Sequence, residues 1–301
     1  MRVGVSEASA RPIRDPREGA RWMVERAAAA RRAGLDSLFV GDHHATPAPY
    51  YQNVPIIARM LAEWGEAPAG CLFLLPLWNP VLLAEQVGTL AALAAGRFIV
   101  QVGLGDDEAQ FAAMGTMLKT RTSAFEQSLG IVRRLLAGEV VSASGRFNVR
   151  DARVALRPAE PVEIWIGASA PPAIDRAARL GDGFLAAPGA TLAQAGEQLR
   201  QYRECCAAHG RPPAALAIRR DIYVADSRAD AEAATGATVR AGYRGFDPAA
   251  LVIGTVDEVV ERFRALAALG YTDVIVRHVT DEQRYVLASL GRLADVRTAL
   301  V

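Results

Sequence analysis

The chain has 301 residues, 51% of them hydrophobic and 22% charged, and its 34 Lys and Arg against 33 Asp and Glu leave a net charge of +1. That composition builds a large core, excludes wholesale disorder, and gives no basic surface for nucleic acid. Cys71, Cys205 and Cys206 have no metal-ligand spacing, residues 1–21 lack the apolar segment of a secretory signal, and the apolar run at 71–78 holds a proline and is far below membrane length, so the expectation is a reduced, cytoplasmic protein that binds no membrane.

Short apolar strands alternate with longer amphipathic helices. A strand at 2–5 precedes a helix at 16–33 that stops at Gly34. A strand at 37–40 runs into Gly41-Asp42-His43-His44; a helix at 54–64, a strand at 69–75 and a helix at 81–95 closing at Gly96 follow. The strand at 98–102 leads to the loop Gly103-Leu104-Gly105-Asp106-Asp107, and a helix spans 121–136. Residues 140–156 break the rhythm; Gly145 among β-favouring residues predicts a small inserted hairpin. A strand at 162–166, a helix from Pro171, a strand at 183–186 and a helix at 192–209 come next. A strand at 216–224 precedes two helical segments, the second opening on the capping box Thr255-Val256-Asp257-Glu258 with an apolar stripe at Val259, Phe263 and Leu266. A strand at 273–276, then Arg277-His278, and a closing helix complete the chain.

Eight strand–helix units in one chain of this length predict a single-domain (β/α)8 TIM barrel over 1–301, with the hairpin near 140–156 inserted at its surface. A doubly wound sheet would want a glycine-rich turn after the first strand, where this chain has Val5-Ser6-Glu7; the later Gly103-Leu104-Gly105 has Glu108 in place of a third glycine.

In such a barrel the active site lies where strands end. The polar residues there are Ser6 and Glu7; Asp42, His43 and His44; Trp78 and Asn79; Asp106, Asp107 and Glu108; Ser169; and Arg277 and His278. Three of the four histidines fall in this set. Adjacent strand residues point to opposite faces, so His43 and His44 do not form a chelating pair without a turn, and no ligand set two residues apart exists; no metal is expected. The alternative for either histidine is structural packing. The loop Gly167-Ala168-Ser169-Ala170-Pro171-Pro172 leaves two readings: a phosphate seat at a helix N-terminus, or a Ser169 that caps the helix. Trp78, Phe111, Met114 and Met117 line an apolar pocket or pack in the core.

Five stretches resemble the bacterial luciferase-like flavin-dependent oxidoreductases, over nearly the whole chain. They are residues 34–44 (GLDSLFVGDHH); Leu75-Pro76 with Asn79-Pro80 and Leu83-Ala84-Glu85-Gln86; Gly96-Arg97-Phe98 with Val102-Gly103-Leu104-Gly105; Ile164-Trp165-Ile166-Gly167 with residues 179–184 (RLGDGF); and Ile253-Gly254-Thr255. The resemblance implies a TIM barrel with a flavin-type ring at the C-terminal strand ends. It implies His43 as catalytic acid/base, and cofactor contacts from Asp42, Cys71, Leu72 and Gly103, with the phosphate on Gly167, Ala168, Ser169 and Ala170. Glu7, His44, Trp78, Asp106 and His278 would then surround the substrate. It further implies a non-proline cis bond within Cys71-Leu72-Phe73, and a possible homodimer. Val102 stands where the luciferases carry a phosphate-binding arginine.

The leading expectation is a monooxygenase using reduced FMN and oxygen on a small organic substrate, because His43-His44 and the spacing from Cys71 to Pro80 resemble the FMN branch. The alternative is hydride transfer with the deazaflavin coenzyme F420, whose enzymes also carry Asp-His at this strand end. A non-catalytic flavin-binding barrel and a metal-dependent hydrolase barrel are the readings from other classes.

Overall fold

The computed structural model describes residues 1–10 and 13–300. In chain order its elements are β1 Arg2–Glu7, α1 Pro16–Arg32, β2 Ser37–Val40, α2 Asn53–Trp64, β3 Ala69–Leu74, α3 Pro80–Leu93, β4 Phe98–Gly103, α4 Glu108–Ala113, α5 Arg121–Leu136, β5 Val141–Ala143, β6 Val149–Ala152, β7 Glu163–Ala168, α6 Pro171–Leu180, β8 Gly183–Ala186, α7 Leu192–Ala208, β9 Ala215–Val224, α8 Arg228–Arg240, β10 Val252–Gly254, α9 Val256–Leu269, β11 Asp273–His278 and α10 Gln283–Ala299. Eight parallel strands, β1-β2-β3-β4-β7-β8-β9-β11, close on themselves through the β11–β1 pairing, with helices outside: the (β/α)8 barrel the periodicity predicts. The hairpin is β5–β6, seated on α3 and α5 through Ala84, Ile131, Leu135, Val141 and Val154.

Side chains two apart on a strand share a face. Phe39, Ile99, Trp165, Ala217 and Ile275 therefore meet inside the barrel as an apolar plug. Their neighbours Leu38, Val40, Val100, Ile164, Ile166, Ile218, Val274 and Val276 point outward into the core shared with the helices. Two positions further along the inward rows come Gly41, Gln101, Gly167, Arg219 and Arg277. The apolar plug thus gives way to polar and side-chain-free positions toward the C-terminal end.

Several details differ from the sequence expectation. The helix expected at 81–95 ends at Leu93, and Gly96 serves a different purpose: a Cβ there would stand 1.9 Å from the Glu66 carbonyl oxygen, so only glycine allows that approach. Gly34, by contrast, does sit at φ +71° just past α1. The six-residue α4 and three-residue β10 are too short for a periodic signal; β10 pairs with β9 over Ile222–Val224, beyond the point where β8 stops. Among the described residues every peptide bond is trans, so the cis bond expected in Cys71-Leu72-Phe73 is not present.

Candidate active site

A cavity of about 430 Å³ opens at the C-terminal ends of the strands. This is within the usual range for a small-molecule site. The strand β2 delivers Asp42, His43 and His44 to it, and the three diverge. Asp42, only 2% exposed, turns inward: its Oδ2 accepts the Leu74 backbone N–H and the Trp78 indole N–H, each at 2.8 Å. His44 takes the same side, its Nε2 3.1 Å from Asp42 Oδ1 without hydrogen-bond alignment, and its ring edge-on to Trp78 at 5.5 Å. His44 and Trp78 therefore brace Asp42 and do not line the cavity, contrary to their expected place in a substrate pocket.

His43 goes the other way and lines the cavity. Its Nδ1 lies 2.6 Å from the Gln110 side-chain nitrogen, with the Tyr50 ring edge-on at 5.7 Å. As the amide is oriented, Gln110 donates to Nδ1, which places the neutral imidazole's proton on Nε2. The pKa of His43 is lowered, first by desolvation and next by the Arg244 guanidinium; Asp42, Asp106 and Asp107 pull against this. Tyr50 is pushed up to about 12 by burial, which keeps its hydroxyl protonated.

Leu72 and Leu74 form an apolar wall on the β3 side. The Cys71 side chain faces the outer core, where burial holds its thiol well above the ordinary range, so Cys71 meets the cavity with no more than backbone. A Cβ on Gly103 would touch only the Leu74 and Leu72 side chains, at 3.3 and 3.8 Å, and one on Gly167 only the Val102 carbonyl, at 3.4 Å. Val102 itself is fully buried among outward-facing residues, so its side chain is turned away from the barrel mouth.

The loop after β7 differs from the expected anion seat. Ala168 is buried as the last residue of β7, whereas Ser169 and Ala170 are exposed, and none of them lines the cavity. Ala170, not Ser169, is the N-cap of α6, and it makes no side-chain cap bond. The first two helical positions are Pro171 and Pro172, which carry no N–H, and the third, Ala173, already donates to the Ala170 carbonyl. The helix thus offers no free donor in its first three positions. The Ser169 hydroxyl and the loop amides are the groups left for a phosphate.

Glu7 also departs from expectation: it sits on the outer side of β1, its Oε2 3.8 Å from the buried Arg26 guanidinium. Asp106 is exposed at the cavity rim, and His278 lines the cavity while its Nε2 meets Ser289 Oγ at 3.1 Å. Asn79 and Asp107 are N-caps, of α3 and α4. Sequence reasoning missed Tyr50, Gln110, Arg219, Tyr243 and Arg244, all cavity-lining. Arg219 donates from Nε and Nη2 to the two oxygens of the fully buried Asp221, at 2.8 and 3.0 Å, and the Tyr243 hydroxyl donates to the same carboxylate at 2.8 Å. Burial would raise the Asp221 pKa; the Arg219 guanidinium, helped by Arg277 and Tyr243, outweighs it and holds the carboxyl below its usual value.

Among the described residues no group of three or more His, Cys, Asp or Glu could hold a metal ion, and no helix is long and apolar enough to cross a membrane. The family model for luciferase-like monooxygenases matches residues 1–250. An F420-dependent glucose-6-phosphate dehydrogenase from Intrasporangium calvum is 31% identical over 183 residues, 57% of this chain and 55% of that protein, so the match spans about half the relative's length. A solved F420-dependent secondary alcohol dehydrogenase, in complex with an F420–acetone adduct, is similar at a TM-score of 0.81 with 18% identity, covering 100% of both chains. The oxygenating constituent of 3,6-diketocamphane monooxygenase from Pseudomonas putida, in complex with FMN, is similar at 0.79 with 18% identity, covering 98% of this chain and 97% of that one. At such identities these two likenesses establish the fold alone.

Proposed function

Because this chain belongs to the luciferase-like monooxygenase family and is an oxidoreductase, we propose that it catalyses hydride transfer between a small organic substrate and the deazaflavin coenzyme F420. The observation that carries the reading is His43, held through Nδ1 by Gln110 on a cavity whose β3 wall is the apolar Leu72 and Leu74. The side-chain-free positions Gly41 and Gly105 on that cavity leave room for a flat tricyclic ring. Leu72, Leu74 and Gly103 would hold the ring, and Ser169 with the amides of its loop would hold the phosphate. F420, when bound, supplies a two-electron acceptor or donor for hydride.

The chain's own part is position and proton handling. With the Gln110 amide turned so that its oxygen accepts from Nδ1–H, Nε2 is free to take the proton of a substrate hydroxyl, and the imidazolium so formed returns it to a carbonyl in reverse. A lowered pKa keeps that imidazole neutral and able to accept near pH 7. Asp42 fixes the end of β3 through Leu74 and the Trp78 indole, which sets the backbone on which the ring would rest.

The preference for F420 over FMN rests on the more similar relatives named above. His44 is behind Asp42, so only His43 of the pair is left to face a bound cofactor. FMN with oxygen remains the second reading, supported by the FMN-bound barrel of similar fold. The test is a parallel fluorescence titration with F420 and FMN. Micromolar F420 binding with none of FMN at a hundredfold excess is expected; the reverse, with oxygen consumed once FMN is reduced, would replace hydride transfer by oxygenation.

A further inference from the structure

The wall of the cavity away from Leu72 holds positive charge that the proton chemistry of His43 does not use. Arg219 on β9 and Arg277 on β11 are on adjacent strands, and both line the cavity floor. Arg219 is neutralised by Asp221. Arg277 is not. Its Nε and Nη2 donate to the carbonyl and hydroxyl oxygens of Ser6, at 3.3 and 2.7 Å, which are neutral acceptors, and among the described residues it is in no ion pair. Asp221 thus carries one negative charge for two guanidinium groups, and an uncompensated charge inside a barrel is costly, since native proteins normally pair such charges. Burial, reinforced by Arg219 and opposed by Asp221, lowers the Arg277 pKa to about 10, which still leaves it charged at neutral pH.

A third guanidinium reaches the same cavity from the rim. Arg244 lies in the loop between α8 and β10, exposed, with its charge over the Phe246 ring at 5.4 Å and in no hydrogen bond or ion pair among the described residues. Its backbone is left-handed, φ +51°, between Gly242 and Gly245, which are left-handed too. Few non-glycine residues adopt that conformation. The Tyr243–Asp221 bond anchors this loop to the barrel floor and so aims Arg244 inward. The carboxylates lining the cavity itself are Asp42, which is engaged by the Leu74 amide and the Trp78 indole, and Asp106 and Asp281, which are exposed to solvent at its rim.

We propose that the substrate carries an oxyanion group, a carboxylate or a phosphate, which is bound between Arg277 and Arg244 while its reacting carbon lies beside His43. This rests on the function proposed above in one respect: the strand order puts β9 and β11 on the far side of the barrel from β3 and β4, so a ring resting on Leu72 leaves the arginines to the substrate. Guanidinium groups are suited to both oxyanions, which they bind in a two-pronged fashion. The arrangement has a consequence for the base. Arg244 lowers the pKa of His43, so an anion seated on Arg244 cancels that effect and raises His43 toward its ordinary value, making it a stronger proton acceptor once substrate is in place.

The experiment is calorimetric titration of the whole chain with inorganic phosphate and, separately, with acetate, at constant ionic strength against sodium chloride. Saturable binding of at least one is expected, the stronger of the two identifying the oxyanion. Affinity should fall at least tenfold in Arg277→Gln and in Arg244→Gln; the second residue is exposed and unbonded, so that variant folds even where the first does not. Phosphate binding should also raise the His43 titration midpoint read by NMR in wild type and leave it unmoved in Arg244→Gln. No saturable binding of either anion, or an unchanged affinity in Arg244→Gln, overturns the proposal. So does displacement of the bound anion by FMN or F420 but not by riboflavin, which would assign the arginines to the cofactor phosphate. Failure of both cofactors to bind would sink the hydride-transfer reading while leaving the anion titration readable.

Discussion

Asp42→Ala should unfold the chain more readily than any other single change at the barrel mouth, because this carboxylate is a structural pin before it is a site residue. Its Oδ2 accepts two N–H groups at 2.8 Å, one of them the buried Leu74 amide at the end of β3 and the other the Trp78 indole beyond the Leu75–Leu77 turn. Hydrogen bonds to a charged acceptor contribute about 1.5–3 kcal/mol each, and truncation strands both donors away from water. Two such bonds give about 3–6 kcal/mol; water entering from the adjacent cavity recovers part of it, and about 3–4 kcal/mol is expected. That is a large share of the roughly 5–15 kcal/mol that holds a typical protein folded. Asp42→Asn keeps an acceptor oxygen for the two donors and turns an amide toward His44, so it should lose only about 1–2 kcal/mol. Urea denaturation followed by tryptophan fluorescence reads both, as a fall in midpoint at unchanged slope. A loss below about 1 kcal/mol in the alanine variant, or an asparagine variant as unstable as alanine, would refute the pin.

His43→Ala should lower turnover by roughly 10²–10⁴-fold with cofactor affinity and melting temperature nearly unchanged, and His44→Ala should act in the opposite way, on stability more than turnover. The His43 midpoint, read by NMR, should lie below the free value of 6.5. Arg244→Gln should raise it and Asp42→Asn should lower it, since the arginine opposes the imidazolium and the aspartate favours it. With its folded pKa below its unfolded one, His43 binds protons better when unfolded, so stability from this group is present above about pH 6.5 and declines as pH falls through that value. Ser169→Glu should weaken cofactor binding without altering the melting temperature, because Ser169 is exposed and makes no cap bond; an unchanged affinity would move the phosphate to another loop. Gly70→Ala should cost at least about 1–3 kcal/mol, since its Cβ would stand 1.9 Å from the Ile99 carbonyl oxygen on the neighbouring strand.

What the sequence reveals and what it hides follow one physical rule. Periodicity reports which face of an element meets apolar surroundings, so the eight barrel strands, their order along the chain and the inserted hairpin are legible, as is the divergence of His43 from His44. It says nothing of which distant residue completes a polar contact: Gln110 comes from a helix of six residues, and Tyr50 and Arg244 come from loops. The double proline of Pro171-Pro172 was legible as a helix start and also as the loss of two N–H donors, and the second meaning limits what the loop after β7 can bind. The strongest unused signal is Arg219-Arg220-Asp221 in the middle of an otherwise apolar strand. In a closed barrel the first and third of those side chains must point inside, where the apolar plug would otherwise continue, so a charge there requires a counter-charge there too. Asp221 meets that requirement for Arg219. Arg277 stands in register with Asp221 one strand over, so two guanidinium groups share one carboxylate and a positive charge is left over, which is the physical reason to look for a further counter-ion on the substrate.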